Sequence, residues 1–300
     1  MQKKFKSGFV SLIGRTNVGK SSIINKLVGE KVSAVANKTQ TTRKNIKAIV
    51  NTDNAQVIFI DTPGIHKPKS ELSKAMVENS YLTIPDVDVL VYVIDATSER
   101  KDKATIEKIK DSHKPTILII NKIDLIDKEK VIEIINEYKD LYDFKAIIPV
   151  SVNKNINVKD ILDEIINNLP DGVAYYDIDE YTDQTMRELA EEVIREKALK
   201  YLRDEVPHGI YVEVTKMKKR KTIEKKEIFD IDSTIFCLRN SHKGIIIGKN
   251  GSMLKKIGTS ARIELEKMFD CKVNLSLIVK VDENWINNKS KIKKLLNMDQ

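Results

Sequence analysis

The chain has 300 residues, 41% hydrophobic and 32% charged, with a net charge of +8. That is the composition of about two globular domains, and the longest apolar run, Val89–Ile94, is far short of the roughly 20 residues a membrane-spanning helix needs. Residues 206–300 hold 20 basic and 11 acidic side chains, which suits either a polyanion partner or a solvated lysine-rich surface.

From the start, a basic stretch (Met1–Lys6) meets only a short strand, Phe9–Ile13, which argues against a secretory leader and for a cytoplasmic protein. Cys237 and Cys271 have no metal-ligand spacing and are expected to be reduced, buried thiols. The strand runs into Gly14-Arg-Thr-Asn-Val-Gly-Lys-Ser21, which fits G-x-x-x-x-G-K-[ST], and then into an amphipathic helix over 21–28 closed by Gly29. Strand, tight turn and helix N-terminus in that order make a phosphate-binding loop. Gly14 and Gly19 let the backbone curl so that N–H groups face phosphate oxygens. The candidate phosphate contacts are Gly14, Arg15, Thr16, Asn17, Val18, Gly19, Lys20, Ser21 and Ser22. Lys20 would reach the β- and γ-phosphates, and Ser21 would ligate Mg²⁺.

Strand-like runs follow at Ile46–Val50, Val57–Ile60, Asp88–Ile94, Thr116–Ile120 and Ala146–Val150, with helical periodicity over 70–82, 102–111, 128–141 and 157–168. The alternation predicts an α/β domain: a mostly parallel sheet with helices on both faces, binding its ligand beyond the carboxyl ends of the strands. The polar motifs fall there. After Val57–Ile60 comes Asp61-Thr62-Pro63-Gly64, where Asp61 is placed to hold Mg²⁺ through its outer shell and Gly64 to offer its N–H to a γ-phosphate. After Thr116–Ile120 comes Asn121-Lys122-Ile-Asp124. A carboxylate at Asp124 can accept from guanine N1–H and N2–H₂, donors adenine lacks there, while Lys122 lays its stem along the base and Asn121 braces the loop. Ser151-Val152-Asn153 follows the last strand and offers a backbone N–H to the base carbonyl, with Val152 where a small residue is usual. In the polar loop Ser33–Lys44, the run Thr39-Gln-Thr-Thr-Arg43 supplies Thr42, rather than Thr41, as a Mg²⁺ ligand present only with the γ-phosphate. The loop would then order with GTP and relax with GDP.

This ordered set resembles the translation-factor-related class of small GTPases. The wording Gln40-Thr-Thr-Arg43 with Asp61-Thr-Pro-Gly-Ile-His-Lys67 is similar to the Era family within it. Ile65 stands where Ras-like proteins carry a water-orienting glutamine, and Arg15 and Arg43 are read as solvated rather than as fingers. Catalysis is therefore expected to be slow in isolation, with Lys20, Thr42, Asp61, Gly64 and Asn17 as the catalytic set. In related GTPases that use K⁺ in place of an arginine finger, an asparagine at the Asn17 position helps hold the ion. His66 is read as a solvated side chain in a loop, in preference to a base.

Leu169-Pro-Asp-Gly172 closes the first domain, 1–172, and the acidic, tyrosine-bearing residues 173–184 read as a linker. In the second domain, 185–300, a helix is predicted over Thr185–Glu205, broken by Pro207-His-Gly209, then strands Ile210–Met217 and Ile223–Phe236 around a basic turn, Lys218–Lys221. That tip is either solvated or phosphate-contacting. Next come Gly244-Ile-Ile-Ile-Gly248-Lys-Asn-Gly251, a helix Ser252–Phe269 and a strand Val273–Val281. An I-G-x-x-G loop joining two helices is the RNA clamp of KH domains. Its candidate RNA contacts are Gly244, Ile245, Ile246, Ile247, Gly248, Lys249, Asn250, Gly251 and Lys255. Taken as helix-strand-strand-strand-helix-helix-strand, the domain resembles the α+β type II KH module of the Era family. That resemblance implies a monomeric GTPase binding the 3′ end of 16S rRNA in small ribosomal subunit maturation, with GTP, GDP and Mg²⁺ as ligands. It also implies a peripheral contact with the inner face of the cell membrane in some bacteria. Trp285–Lys294 is either a further RNA contact or a packing anchor, and Leu295–Gln300 departs from the family ending. A binding protein whose hydrolysis is incidental and a tRNA-modification GTPase are the rival readings. The second lacks a reactive cysteine or one-carbon site.

Overall fold

The computed structural model describes residues 4–36, 38, 41–98, 102–221 and 227–296. Thr39, Gln40 and the end of the C-terminal tail lie outside the described residues. The chain forms two units. The first comprises Met1–Ser33, Thr42–Lys69 and Ser73–Asp183, the second Ala34–Thr41, Ser70–Leu72 and Gln184–Gln300.

In the first unit, β1 (Lys6–Ile13), β2 (Ile46–Thr52), β3 (Ala55–Asp61), β4 (Val89–Asp95), β5 (Thr116–Asn121) and β6 (Ala146–Pro149) form one sheet in the order β2-β3-β1-β4-β5-β6. All neighbours are parallel except β2 and β3, which the Asp53-Asn54 turn folds back on each other. Helices α1 (Lys20–Val28), α2 (Glu71–Leu82), α3 (Lys103–Ser112), α4 (Lys128–Lys139) and α5 (Val158–Asn168) fill the crossovers. The central strands are apolar on both faces, as a covered parallel sheet requires. Val89, Val91 and Val93 pack in one core with Ile23 of α1 and Ile161 of α5, while Leu90 and Tyr92 pack in the other with Ile106 of α3 and Tyr138 of α4. Residues 173–183 belong to this unit. Ile49 donates to the Tyr181 carbonyl at 2.9 Å, the Gln56 side-chain oxygen accepts from the Tyr175 and Tyr176 amides at 2.6 and 3.0 Å, and Tyr175 stacks at a tilt on Phe9.

The second unit contains α6 (Met186–Tyr201), β7 (Tyr211–Lys221), β8 (Glu227–Cys237), α7 (Asn240–Ile247), α8 (Ser252–Met268), β9 (Lys272–Val281) and α9 (Lys289–Leu296). β7 is antiparallel to β8, and β9 parallel to it. Thr185 and Glu188 form a reciprocal capping box that starts α6. Its apolar stripe, including Val193, Ile194 and Ala198, packs on the sheet with Ile257, Ala261 and Leu265 of α8.

Several expectations are corrected here. Among the described residues two strands, not three, separate α6 from the glycine loop. Helix α6 stops at Tyr201 because Leu202 turns extended to bury its side chain and Asp204 adopts a positive φ. Lys218–Lys221 is strand, not turn: these residues pair with Asp230–Glu227, and Arg220 and Lys219 form cross-strand ion pairs with Asp230 (2.5 Å) and Glu227 (2.6 Å). Trp285 is 1% exposed, donates its indole N–H to the Gly209 carbonyl at 3.1 Å and packs edge-on against Tyr211. It is a packing anchor and is not available to RNA bases. Cys237 is buried, but Cys271 is only half-buried. Among the described residues no helix is long and apolar enough to cross a membrane.

Candidate functional sites

β1 ends at Ile13 and α1 begins at Lys20, with Gly14 at φ +151° and Gly19 at φ +103° between them. A Cβ at Gly14 would lie 2.2 Å from the Val93 carbonyl oxygen, and one at Gly19 2.2 Å from the Asn121 side-chain nitrogen. No other residue fits either place. Lys20 is buried and donates to the carbonyls of Gly14 (3.0 Å) and Arg15 (3.1 Å). Burial pulls its pKa from 10.5 down to about 8, against the opposing pull of Asp61. A desolvated ammonium held in a loop of N–H groups is a site for a polyanion.

Asp61, at the end of β3, is fully buried. Its Oδ2 accepts from Ser21 Oγ (2.6 Å), Ser33 Oγ (2.6 Å) and Thr42 Oγ1 (3.3 Å), and the Ser21 and Thr42 hydroxyls lie 2.9 Å apart. Its Oδ1 is buried with no hydrogen-bond partner among the described residues. Burial raises the carboxyl pKa, with Lys20 and the three hydroxyls pulling the other way. A half-satisfied carboxylate beside converging hydroxyl oxygens is a hard-oxygen donor set that fits Mg²⁺. Ser21, Thr42 and Asp61 are the residues that would hold it. Ser33 was not foreseen: nothing in its polar loop marks its hydroxyl above those of the threonines that follow it.

Beyond Asp61 the chain is fastened to the phosphate loop. Thr62 Oγ1 donates to the Leu12 carbonyl (2.6 Å) and Ile65 N–H to the Gly14 carbonyl (3.0 Å). A Cβ at Gly64 would fall 2.6 Å from Thr16 Cα, so glycine is required by proximity alone. Ile65 is buried and apolar, which leaves it unable to hydrogen-bond water. His66 is half-buried with Nδ1 2.9 Å from the Gly64 carbonyl oxygen, so it is not a freely solvated side chain. Arg43 is 4% exposed, again against the solvated reading, because it enters the fold beside buried Thr42 at the approach to β2. Arg15 is half-buried and Asn17 is exposed at φ +64°.

At the ends of β5 and β6, Asn121 is buried, donates to the Val18 carbonyl (2.8 Å) and accepts from the Lys122 and Val152 amides (2.8 and 3.5 Å). One side chain thus ties the phosphate loop to both base loops. Ser151 Oγ donates to Asp124 Oδ1 at 2.6 Å, fixing the carboxylate without covering both oxygens. Lys122 Nζ is held by the Asn17 carbonyl (2.8 Å) and Asp95 (2.5 Å). Lys122 holds the Asp95 carboxyl below its usual range, against burial. Asp95 went unnoticed in the sequence, although as the last residue of β4 it obeys the rule that found the others. Asn153 is exposed and only Val152 faces this cluster through its backbone.

In the second unit α7 and α8 are joined through Gly248 (φ +72°), Lys249, Asn250 (φ +52°) and Gly251 (φ +76°). A Cβ at Gly248 would meet the Met253 amide at 2.9 Å. Gly244 has open space and an ordinary φ, so only the later two glycines are conformationally required. Ile246 is in the core, Ile247 partly buried and Ile245 50% exposed. Lys249, Asn250 and Lys255 are exposed.

The sequence profile of a 50S ribosome-binding GTPase family matches residues 9–122, and that of the KH domain residues 205–286. GTPase Era of Thermoanaerobacter sp. (strain X514) is 47% identical over 97% of this chain and 96% of its own. The chain belongs to the Era family of GTPases. GTPase Era of Ruminiclostridium cellulolyticum is 46% identical over 97% of each chain. Two solved Era structures superpose with TM-scores of 0.91 over 97% of this chain. One is Aquifex aeolicus Era bound to GDP.AlF4⁻, 36% identical and covered to 99%; the other is an Era in complex with MgGDPNP and nucleotides 1506–1542 of 16S ribosomal RNA, 37% identical and covered to 98%.

Proposed function

We propose that this chain is a GTP-binding and GTP-hydrolysing switch that binds 16S rRNA near its 3′ end and acts in maturation of the small ribosomal subunit. The observation that carries the reading is the Asp124 carboxylate, oriented by Ser151, in loops that Asn121 ties directly to the phosphate cradle. In this reading residues 1–172 are the G domain, 173–184 the linker and 185–300 the KH domain.

The loop Gly14–Ser22 and Asp61–Gly64 hold the phosphates, while Asn121, Lys122, Asp124 and Ser151–Asn153 hold guanine. Lys20 supplies positive charge to the β- and γ-phosphates, and Gly64 offers its N–H to the γ-phosphate. Ser21, Thr42 and Asp61 would hold Mg²⁺, which when bound would supply positive charge to the phosphates. With apolar Ile65 next to Gly64, nothing there orients water through a side chain, so hydrolysis is slow. Asn17, exposed on the phosphate loop, is the group to hold a K⁺ ion; equal turnover in Na⁺ and K⁺ buffers would remove that role. Gly244, Ile245, Ile247–Gly251 and Lys255 clamp the RNA backbone; Ile246, expected among the contacts, is buried in the core and supports the loop from beneath. The protein works as a cytoplasmic monomer, and the lysine excess of residues 206–300 would suit a peripheral contact with anionic lipid at the inner face of the membrane. An Era solved with MgGDPNP and 16S rRNA nucleotides supports the pairing of both ligands in one chain.

The test is RNA crosslinking to the full chain loaded with GDPNP or with GDP. Crosslinks are expected at the small-subunit 3′ terminus, in amounts that differ with nucleotide. Sites mapping elsewhere, or indifference to nucleotide, would overturn the reading.

A further inference from the structure

Ser80, on α2, is fully buried, and its hydroxyl lies 2.7 Å from the Pro63 carbonyl oxygen and 2.9 Å from that of Met76. A serine within a helix commonly donates to the carbonyl four residues back, which here is Met76. The Pro63 contact is different: it crosses to the turn that carries Gly64. The Pro63–Gly64 peptide is trans, so its C=O and N–H point in opposite directions within one plane. Holding the carbonyl from the α2 side therefore aims the Gly64 N–H away from α2. That N–H makes no hydrogen bond to a described residue, whereas the next one, of Ile65, is taken by the Gly14 carbonyl. The Ser80 carbonyl, as distinct from its hydroxyl, has a separate partner. Thr83 Oγ1 donates to the Ser80 carbonyl (2.9 Å) and lies 2.8 Å from Ser11 Oγ on β1, the strand that leads into the phosphate loop.

We infer that Ser80 is a positioning residue for hydrolysis: its hydroxyl sets the plane of the Pro63–Gly64 peptide and so the direction in which the Gly64 N–H meets the terminal phosphate. The inference rests on the guanine-nucleotide reading of the site. With one proton and two acceptors, the hydroxyl can pass from Pro63 to Met76 without stranding a buried donor. The turn can thus shift without a large penalty at the Ser80 hydroxyl. GDP, having no terminal phosphate, makes no use of the contact.

The experiment compares full-length wild type, Ser80→Ala and Thr83→Val by calorimetry with Mg-GDP and Mg-GDPNP and by single-turnover GTP hydrolysis. Removing a fixed donor outright costs about 10²–10³ in rate, and misaiming one should cost less. Ser80→Ala is therefore expected to keep GDP affinity, bind GDPNP about five- to tenfold more weakly and hydrolyse GTP about tenfold more slowly. Thr83→Val, which removes a neighbouring buried hydroxyl but not the Pro63 contact, is expected to lower the melting temperature while leaving the GDP-to-GDPNP ratio unchanged. If Ser80→Ala does not fold, Ser80→Cys, with a similar volume and a weak donor, should move the ratio the same way. A ratio and rate unchanged in the Ser80 variants, or parallel loss of both nucleotides, would overturn the inference. Wild-type protein that bound neither nucleotide would remove the site reading beneath it.

Discussion

At the phosphate cradle, Lys20 is 6% exposed and Asp61 and Ser80 are fully buried, and each of these side chains already has a partner inside the fold, with Asp61 Oδ1 left open. At the loop 248–251, Lys249 and Asn250 face solvent on a backbone shaped by Gly248 and Gly251. Both places use positive φ to bring main chain close to a phosphate. The first has most of its donors and acceptors fixed before a ligand arrives, whereas the second leaves its side chains free to adapt. A fixed, dry site discriminates between ligands that differ by one hydrogen-bonding group. A solvated loop grips charge with less regard for what carries it.

The sharpest attempt to break this contrast is Asp124→Asn, which replaces the acceptor read as facing guanine. A site built to pair a polar group rejects the mismatched ligand by about 10⁴-fold; GDP affinity measured by calorimetry should fall by roughly that order, with no gain for ADP. A fall of less than tenfold would mean the guanine side is as permissive as the exposed loop.

The next effect comes from proton linkage at Lys20. Its folded pKa of about 8 lies below the ordinary 10.5. Between those values the unfolded chain binds a proton that the folded, ligand-free chain does not, so ligand-free stability rises with pH through that window. Phosphate needs the ammonium, so binding must take that proton up, and nucleotide affinity should fall by up to about tenfold per pH unit above pH ~8. Calorimetry in buffers of different ionisation enthalpy measures the uptake, and Lys20→Met should abolish it.

The smallest effect belongs to the solvated side. Lys249→Ser should weaken RNA binding only a few-fold and lower the salt slope by about one, uniformly across RNA sequences, with GDP affinity untouched. A sequence-selective loss in salt titrations would make Lys249 a reader rather than a clamp.

Legibility in the sequence follows the same division. The parallel sheet was readable because its strands must be apolar on both faces, and the nucleotide loops because they sit after strands and need glycine or a carboxylate at fixed places. The KH loop was readable from its glycines. What escaped was decided by distant partners. The strand character of Lys218–Lys221 comes from Asp230 and Glu227 across the ladder, which a basic run read alone does not reveal. Trp285 was undecidable until the Gly209 carbonyl claimed its indole N–H. Ser33 and Ser80 are serines in ordinary settings, and only the atoms at the far end of their hydrogen bonds, Asp61 and Pro63, set them apart.

The segment 173–183 carries a further consequence. Its Thr182 bridges to Ala48 and its Tyr181 carbonyl takes the Ile49 amide, both along the outer rim of β2. An unsheathed rim of a sheet is a template on which another chain can dock and polymerise. Here the protein sheathes that rim with its own main chain, and at the opposite border β6 is only four residues long and contains a proline, Pro149. Deleting 173–183 would therefore be felt first as clumping at high concentration, before any defect in nucleotide chemistry.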